Sequence, residues 1–330
     1  MITLDAHLAA GRAAAAVAAV VGAVAAAGTK IADELARAAL IGQLGTTGDI
    51  NVQGEPVKKL DVWANDVVVA ALDATGHACT LVSEELEEIR HSPERCRGEG
   101  LVVCFDPVDG SSNLDVNGIV GTIFSVLRAR GRGAEHARAD ILQPGTAQVA
   151  AGYIMYGPST LLVMSMGDGV HGFTLDRTAG AYVRTHANLR IPARGRTYSI
   201  NDGNFARWPA GVRRFVEHVR QIDTATGRPY TARYAGSLVT DVHRTLLEGG
   251  IYLYPEDAAG TGKQSSGKLR LMYECSPMSM IIEQAGGAAT TGRTRVLDLV
   301  PTAPHQRVPL LIGSPDDVRL AEEFYAARRV

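Results

Sequence analysis

The most informative stretch of the chain is LVVCFDPVDGSSN at residues 101–113. Its first five residues form an apolar run rich in Val and Leu, which predicts a short buried strand. Two carboxylates follow, those of Asp106 and Asp109, and Pro107 between them restricts the backbone. Because ligands of open α/β sheets bind beyond the carboxyl ends of strands, this strand end is a candidate ligand site.

The turn after the strand has the chemistry to bind both a cation and an anion. It can aim the side chains of Asp106 and Asp109 and the carbonyl of Val108 at one point. An anion can be cradled by the three backbone amides that follow, those of Gly110, Ser111 and Ser112. The competing interpretation is an ordinary turn, since Asp-Gly is also a common hairpin signal.

A second strand end is equally acidic. The run TLVS at residues 80–83 leads into Glu84 and Glu85. Two unit charges 4 Å apart repel by about 4 kcal/mol at an effective dielectric constant near 20, so four or five converging carboxylates require cations. Oxygen-only ligands favour Mg²⁺ or Mn²⁺. Taken alone, EELEE at residues 84–88 is also compatible with a solvated helix start.

A third element is basic and aromatic. Strand alternation over residues 268–270 places Lys268 and Arg270 on one face, with Glu274 four residues further along. Arginine, lysine and tyrosine hydroxyls are common phosphate partners. The alternative is a surface strand with salt bridges, which are worth little individually.

The composition excludes several classes of protein. Lys plus Arg number 33 and Asp plus Glu number 35 in 330 residues, so the basic surplus of a nucleic-acid-binding protein is missing. Residues 13–29 contain no charged side chain, as a membrane-spanning segment would. They are mostly Ala and Val, however, and we interpret them as a buried helix. A signal peptide is the alternative for this segment, and no membrane partner is expected.

The order of predicted elements indicates an α/β or α+β class, with helices covering sheets. Two helices are predicted at residues 4–27 and 31–40, and a third at residues 61–73. Strands then dominate up to residue 175, and helices alternate with strands after residue 197. Residues 269–273 are predicted to be a strand, and Ser276 is predicted to cap the helix that follows. The predicted domains are residues 1–196 and 197–330.

The four cysteines are Cys79, Cys96, Cys104 and Cys275. Their number is far below that of a disulfide scaffold, and no C-x-x-C pair occurs. We therefore expect reduced thiols and a cytoplasmic location.

From about residue 54 to its end, the chain resembles the class I fructose-1,6-bisphosphatases, members of a magnesium-dependent, lithium-sensitive sugar and inositol phosphatase superfamily. The resemblance rests on an ordered series of motifs. They include KKLDV at 58–62, LVSEE at 81–85, FDPVDGSSN at 105–113, GTIF at 121–124, YSIN at 198–201, GGIYLYP at 249–255 and GKLRLMYEC at 267–275. It implies a layered αβαβα fold with two sheets flanked by helices.

The resemblance implies a set of metal ligands. One Mg²⁺ would be held by Glu84, Asp106 and the carbonyl of Val108. A second would be held by Asp106, Asp109 and Glu274. Two or three cations are implied per subunit, and Mn²⁺ is an expected substitute.

The resemblance also implies catalytic roles for three further carboxylates. Glu85 would join a third metal or help to activate water. Asp61 would act as the general base, and Glu55 as an electrostatic helper.

The implied substrate is a sugar bisphosphate. The residues expected to face the transferred 1-phosphate are Asp109, Gly110, Ser111, Ser112 and Arg270. Those expected at the sugar and the 6-phosphate are Asn201, Tyr234, Tyr252, Leu253, Tyr254 and Lys268. Arg233 is expected to come from a neighbouring subunit of a homotetramer.

The expected reaction is hydrolysis of D-fructose 1,6-bisphosphate to fructose 6-phosphate and phosphate, in gluconeogenesis or a Calvin-type cycle. The alternative substrate is sedoheptulose 1,7-bisphosphate, alone or as a second activity. Asn113 favours fructose, because relatives that act on sedoheptulose tend to lack it. A sugar-phosphate-binding regulator without catalysis is disfavoured, because all six expected carboxylates from Asp61 to Glu274 are present.

Inhibition by AMP is expected to be weak or absent. Animal members of the family bind AMP through a Gly-Thr-Gly-Glu-Leu-Thr stretch near the N-terminus, where this chain has the Ala-rich segment around residues 11–28. Arg128 is the one AMP-contact position that is kept. Activity measured against AMP concentration tests this, and inhibition at micromolar AMP would contradict it.

Overall fold

The computed structural model describes residues 1–11, 13–50, 56–92, 94, 96, 100–131, 134–258 and 266–326. Glu55 lies outside these residues, so its expected role is not addressed by the geometry. The helices are α1 (Leu4–Ala10), α2 (Ala15–Leu35), α3 (Lys59–Thr75), α4 (Ala134–Ile141), α5 (Ala210–Arg220), α6 (Leu238–Glu248), α7 (Ser276–Gln284) and α8 (Pro315–Ala326).

Four sheets are described, and two of them build the body of the molecule. The larger has eight strands in the order β10-β9-β8-β7-β6-β5-β3-β4, antiparallel except for the pair β3 and β5. In chain order its strands are β3 (Ala78–Ser83), β4 (Arg90–His91), β5 (Leu101–Asp109), β6 (Val120–Arg128), β7 (Gln148–Tyr156), β8 (Thr160–Ser165), β9 (His171–Asp176) and β10 (Ala181–His186). The last of these was not predicted from the sequence.

The second sheet has five strands in the order β12-β11-β13-β17-β15. These are β11 (Thr197–Ser199), β12 (Thr231–Ala232), β13 (Ile251–Tyr254), β15 (Ala288–Thr290) and β17 (Leu310–Gly313). Two short antiparallel pairs complete the strands, β1 (Thr46–Ile50) with β2 (Pro56–Lys58), and β14 (Leu269–Arg270) with β16 (Arg307–Val308).

Side chains alternate between the two faces of each strand, so the two sheets separate three large apolar cores. Together the helices and sheets form five layers. The first core joins α1, α2 and α3 to one face of the larger sheet. The second joins the opposite face of that sheet, through residues such as Ile123, to α6, α7 and one face of β13 and β17. The third joins the far face of those two strands to α5 and α8. The layering is helix, sheet, helix, sheet, helix, which confirms the expected αβαβα fold.

The N-terminal helices differ from the prediction in their bounds. The first predicted helix is interrupted at Gly11, where α1 ends. The next helix, α2, runs without interruption through Thr29. Among the described helices, α2 alone is long and apolar enough to cross a membrane, yet half of its most apolar window is buried inside the protein. A Cβ at Gly28 would lie 2.3 Å from Cδ1 of Ile154 on the sheet, so the absence of a side chain lets the helix pack closely on the sheet. The buried Ala-rich helix is therefore confirmed.

The expectation of reduced thiols is wrong for two of the four cysteines. Cys79 on β3 and Cys96 form a disulfide, with their Cα atoms 5.3 Å apart. The sequence could not show this contact, because it depends on β4 folding back along β3, where the amide of Ser92 donates to the carbonyl of Cys79 at 2.8 Å. Cys104 and Cys275 are buried free thiols, and burial raises the pKa of Cys104 to about 12.

The disulfide makes a thiol count informative. Protein unfolded without reductant should show two reactive thiols, and four after reduction. Closing a loop of 17 residues should add about 3 kcal/mol to the free energy of unfolding, which reduction or Cys96→Ser would remove. The measurements are thiol titration and denaturant unfolding with and without reductant. Four thiols before reduction would contradict the assignment.

Candidate active site

Asp106 and Asp109 face the same side of the larger sheet because β5 carries a bulge. In a regular strand, residues three apart point to opposite faces. Here Asp106 pairs with Ile123 and Asp109 with Gly121, so β5 has one extra residue between these pairs. A bulge of this kind re-aims side chains, and it turns both carboxylates into one cleft.

Glu84 and Glu85 reach the cleft from the neighbouring strand. The strands β3 and β5 are parallel, so both end at the same edge, and the amide of Glu84 still donates to the carbonyl of Phe105 at 3.2 Å. The Ser83 hydroxyl then accepts from the Glu85 amide and donates to Asn65. The helix start that was the alternative for residues 84–88 does not form.

Glu274 arrives by a route that the sequence analysis predicted wrongly. The expected strand at residues 269–273 stops at Arg270, and residues 271–275 form a π-helical turn that leads directly into α7. This turn folds Glu274 back, so that its carboxylate accepts the backbone N–H of Arg270. The residue before α7 is Cys275, and Ser276 lies inside the helix, so its predicted capping role is also wrong. Such turns interrupt α-helices frequently at functional sites.

Asp106, Asp109 and Glu274 form the carboxylate cluster. Each is buried and offers one oxygen, and these oxygens lie within 4.8 Å of one another. Burial is the main cause that raises the pKa of Asp106, and the charges of Glu84, Asp109 and Glu274 add to it. Burial also raises the pKa of Glu274, followed by the charge of Glu84. Since every ligand atom is a carboxylate oxygen, the donor set fits a hard divalent cation such as Mg²⁺ or Mn²⁺.

Asp109 accepts hydrogen bonds from the start of α6. Its Oδ2 accepts from the Ser237 hydroxyl at 2.7 Å and from the Val239 amide at 2.8 Å, and its Oδ1 accepts from the Leu238 amide at 3.2 Å. Burial still raises the pKa of Asp109, while these three hydrogen bonds and Lys268 lower it. Gly110 is required beside this contact, because its φ is 77° and a Cβ there would lie 2.7 Å from Cβ of Ser237.

Asp61 stands on the first turn of α3, at the wall of the cleft. Burial raises its pKa to about 7, a hydrogen bond from Ser111 opposes this, and the charge of Glu84 adds to the increase. Its Oδ1 is buried and accepts no hydrogen bond from any described residue. A carboxylate with a pKa near neutrality and an unused oxygen is suited to accept a proton.

The cleft is also lined by basic and aromatic residues. Arg270 is 2% exposed, its Nη1 donates to the carbonyl of Lys268 at 2.7 Å, and its Nη2 lies 3.8 Å from Oε1 of Glu84. The rings of Tyr252 and Tyr254 lie 6.4 Å apart on one face of β13. Burial raises the pKa of Tyr234 to about 12, and a hydrogen bond with Asn201 lowers it. These groups can bind anionic and hydroxyl oxygens of a ligand.

The cleft has a volume of about 160 Å³ and contains most of the residues predicted from the sequence. Its lining includes all six expected metal ligands, together with Asp61, Gly110, Ser111, Ser112, Tyr234, Tyr252, Tyr254, Lys268 and Arg270. A larger cavity of about 550 Å³ lies at the end of α2, but its lining includes a single carboxylate, that of Asp115. The predicted chemistry therefore lies in the smaller cavity.

Three predicted substrate residues do not line this cleft. Asn201 lies next to it, in a small adjoining pocket that shares Tyr254. The side chain of Leu253 lies on the other face of β13 and packs in the third core. Arg233 is exposed and donates to the carbonyl of Ala232, outside the cleft of its own chain.

The sequence analysis missed Ser237, Gly236 and Leu238 as residues of the site. Gly236 and Leu238 line the cleft. Ser237 does not line it, but its hydroxyl donates a hydrogen bond to Asp109, which does. A serine directly before a predicted helix is a capping signal, so its position on α6 could have been noted. Its contact with Asp109 joins residues 128 apart in the chain, and no local pattern predicts it.

Comparison with known proteins places this geometry in a family. Residues 2–187 match the model of the N-terminal domain of fructose-1-6-bisphosphatase, and residues 191–326 match that of its C-terminal domain. The chain is 50% identical over 297 residues to a class 1 fructose-1,6-bisphosphatase of Chlorobium chlorochromatii, covering 90% of this chain and 88% of the relative. It is 51% identical over 296 residues to one from a Synechococcus species, covering 89% and 86%.

The fold is also similar to that of a solved structure. The holo form of Leishmania major fructose-1,6-bisphosphatase superposes with a TM-score of 0.93 at 38% sequence identity. The superposition covers 98% of this chain and 99% of the other. The likeness therefore includes both sheets and the cleft between them.

Asp106→Asn should abolish stabilisation by divalent cations. The amide retains an oxygen that can accept the Val108 N–H, as Oδ1 of Asp106 does at 2.9 Å, but it removes one buried charge. Without metal, the variant should melt at least as high as the unsubstituted protein, because like-charge repulsion is relieved. With Mn²⁺ at 100 times its Kd, the unsubstituted protein should gain about 2.7 kcal/mol and the variant far less.

The measurement is thermal unfolding in EDTA and across a Mn²⁺ series. Asp115→Asn is the matched control, because this carboxylate pairs with Lys58 outside the cleft. The control should keep the full cation-dependent increase in Tm. An equal increase in the Asp106→Asn variant would contradict the site.

Proposed function

The chain belongs to the fructose-1,6-bisphosphatase family, and we propose that it hydrolyses D-fructose 1,6-bisphosphate to fructose 6-phosphate and phosphate in the cleft described above. The observation that carries the proposal is the arrangement of this cleft. A buried carboxylate cluster lines the same cleft as Arg270, Lys268 and three tyrosines. A polyanion can enter such a cleft only with cations, which reverse the negative charge of the cluster.

Mg²⁺ or Mn²⁺ is the proposed cofactor, with two or three ions held by Glu84, Glu85, Asp106, the Val108 carbonyl, Asp109 and Glu274. Bound there, the ions would lower the pKa of water and neutralise charge on the phosphoryl group. All these residues line one cleft, and the three buried carboxylates already converge.

The protein groups then supply position and proton transfer. Asp61, with its unused oxygen and its pKa near 7, is the proposed acceptor of the proton from the attacking water. The segment 110–112 presents backbone amides, and Arg270 presents a guanidinium, to the transferred phosphoryl group. Phosphoryl transfer to water depends on positioning and charge stabilisation, so no covalent intermediate on the protein is required.

The distal half of the cleft is the proposed site of the sugar and the 6-phosphate. Tyr234, Tyr254 and Lys268 line it, and Asn201 reaches it through the Tyr234 hydroxyl. Binding energy from a phosphate that does not react can orient the one that does. A monophosphate should therefore be a poorer substrate. Sedoheptulose 1,7-bisphosphate, which also has two phosphates, remains the alternative substrate.

A homotetramer is the proposed assembly. The exposed guanidinium of Arg233 lies outside the cleft of its own chain, which supports the proposal that it completes a neighbouring one. Light scattering with size-exclusion chromatography measures this directly. A cytoplasmic location stays a prediction, and the Cys79–Cys96 disulfide removes the cysteine argument for it.

The activity is tested by phosphate release in the presence of Mg²⁺. Fructose 1,6-bisphosphate should be hydrolysed fastest, followed by sedoheptulose 1,7-bisphosphate, with inositol phosphate and fructose 1-phosphate far behind. EDTA should abolish the reaction, and Asp61→Asn should lower kcat by 10²-fold or more if it removes the general base. Asp66→Asn, on the same helix, is the control that should retain activity. Absence of release with both Mg²⁺ and Mn²⁺ would refute the proposal.

A further inference from the structure

The start of α6 is bound to the carboxylate cluster. Ser237 and the amides of Leu238 and Val239 place three hydrogen-bond donors on the two oxygens of Asp109. Asp109 is 6% exposed and Ser237 is 2% exposed, so water does not compete for these contacts. The orientation of this expected metal ligand is therefore fixed by a helix that is distant from it in the chain.

The same helix start also holds the segment that carries Tyr234. Asp241, in the first turn of α6, accepts the backbone N–H of Ala235 at 3.0 and 3.2 Å and that of Gly236 at 3.2 Å. From the other side, Nδ2 of Asn113 donates to the carbonyl of Ala235 at 3.2 Å. The residues from Ala235 to Asp241 thus form one hydrogen-bonded unit, and Tyr234 directly precedes it.

This unit has one end in each half of the cleft. Tyr234, at one end, lines the part of the cleft proposed for the sugar, and Ser237 donates to Asp109 of the carboxylate cluster. Hydrogen bonds therefore connect Asp109 to the helix start, and the helix start to the backbone beside Tyr234. Such a rigid element can transmit a binding event between two subsites.

We propose that Ser237 and Asp241 are positioning residues that couple cation binding at the carboxylate cluster to sugar-phosphate binding at Tyr234. The proposal rests on the proposed function. Ser237 orients Asp109 for the cation, and Asp241 orients the backbone beside Tyr234. Because coupling between two binding equilibria is reciprocal, a cation that tightens sugar-phosphate binding by some factor is itself bound more tightly by the same factor.

Ser237→Ala tests the metal end. Groups that orient a metal ligand typically change metal affinity by 10- to 100-fold when removed, so the Kd of Mn²⁺ should rise at least tenfold. The measurement is electron paramagnetic resonance titration of free Mn²⁺ with the full-length protein and no sugar phosphate. Mn²⁺ affinity is a readout that a loss of stability alone would not change by this amount.

Ser314→Ala is the matched control. Ser314 is also buried and directly precedes a helix, α8, where its hydroxyl donates to the Pro192 carbonyl at 2.7 Å and accepts from the Gly250 amide at 3.0 Å. It does not line the cleft. This variant should lose comparable stability and keep its Mn²⁺ affinity within twofold. An unchanged Kd in Ser237→Ala, or an equal rise in Ser314→Ala, would overturn the role of Ser237.

Asp241→Asn tests the coupling itself. The Kd of Mn²⁺ is measured with and without saturating fructose 6-phosphate, and the ratio of the two values is the coupling factor. In the unsubstituted protein this factor should exceed five. In Asp241→Asn it should fall towards one, with the Mn²⁺ Kd in the absence of sugar changed less than threefold and the KM for the bisphosphate raised more than kcat is lowered.

Asn113→Ala is the second variant if Asp241→Asn does not fold. It removes the hydrogen bond from Asn113 to the Ala235 carbonyl and leaves the buried carboxylate of Asp241 in place. The coupling factor should fall in this variant also. A coupling factor that persists in either folded variant would overturn the proposal for Asp241. If the unsubstituted protein binds no fructose 6-phosphate and releases no phosphate, the proposed function fails, while the Mn²⁺ titration of Ser237→Ala remains a separate test.

Discussion

The structure depends on keeping three carboxylates together inside the protein. At about 4 Å and an effective dielectric constant near 20, each pair of unit charges repels by about 4 kcal/mol. The protein opposes this with the amide of Val108 on Asp106, the start of α6 on Asp109 and the amide of Arg270 on Glu274. Burial still raises the pKa of all three carboxyl groups, so the cluster favours a bound proton or cation that neutralises its charge.

Several layers of the fold contribute residues to the cleft. The larger sheet contributes Asp106 and Asp109 from the bulged end of β5, and Glu84 from the parallel strand beside it. The π-helical turn before α7 contributes Glu274, and the middle helix layer contributes the start of α6. The second sheet contributes Tyr252 and Tyr254. A cleft between two sheets can therefore combine acidic, basic and aromatic residues.

Much of the site was predictable because its motifs are local. The acidic strand ends, the Gly110 turn and the basic residues near 268–270 each occupy a few consecutive residues with recognisable chemistry. The errors occurred where a contact outweighed local preference. Residues 271–275 have the pattern of a strand, but they form a π-helical turn in which the Glu274 carboxylate accepts the Arg270 amide. The pairing of Cys79 with Cys96 likewise follows from β4 folding along β3.

The sequence by itself determined the family, the layered fold and the identity of the acidic and basic residues in the cleft. Short, ordered motifs carry the resemblance to the family, and that resemblance implies the layered fold, while strand and helix periods indicate only the α/β or α+β class. Only the tertiary structure decided how Asp106 and Asp109 share a face, how Glu274 turns back, and which helix holds Asp109. They depend on the bulged pairing of β5 with β6, on the π-helical turn, and on contacts between distant segments such as that between Asp109 and Val239, 130 residues apart. They arise because a buried charged group needs hydrogen-bond donors, and the packing of the layers decides which donors lie near it.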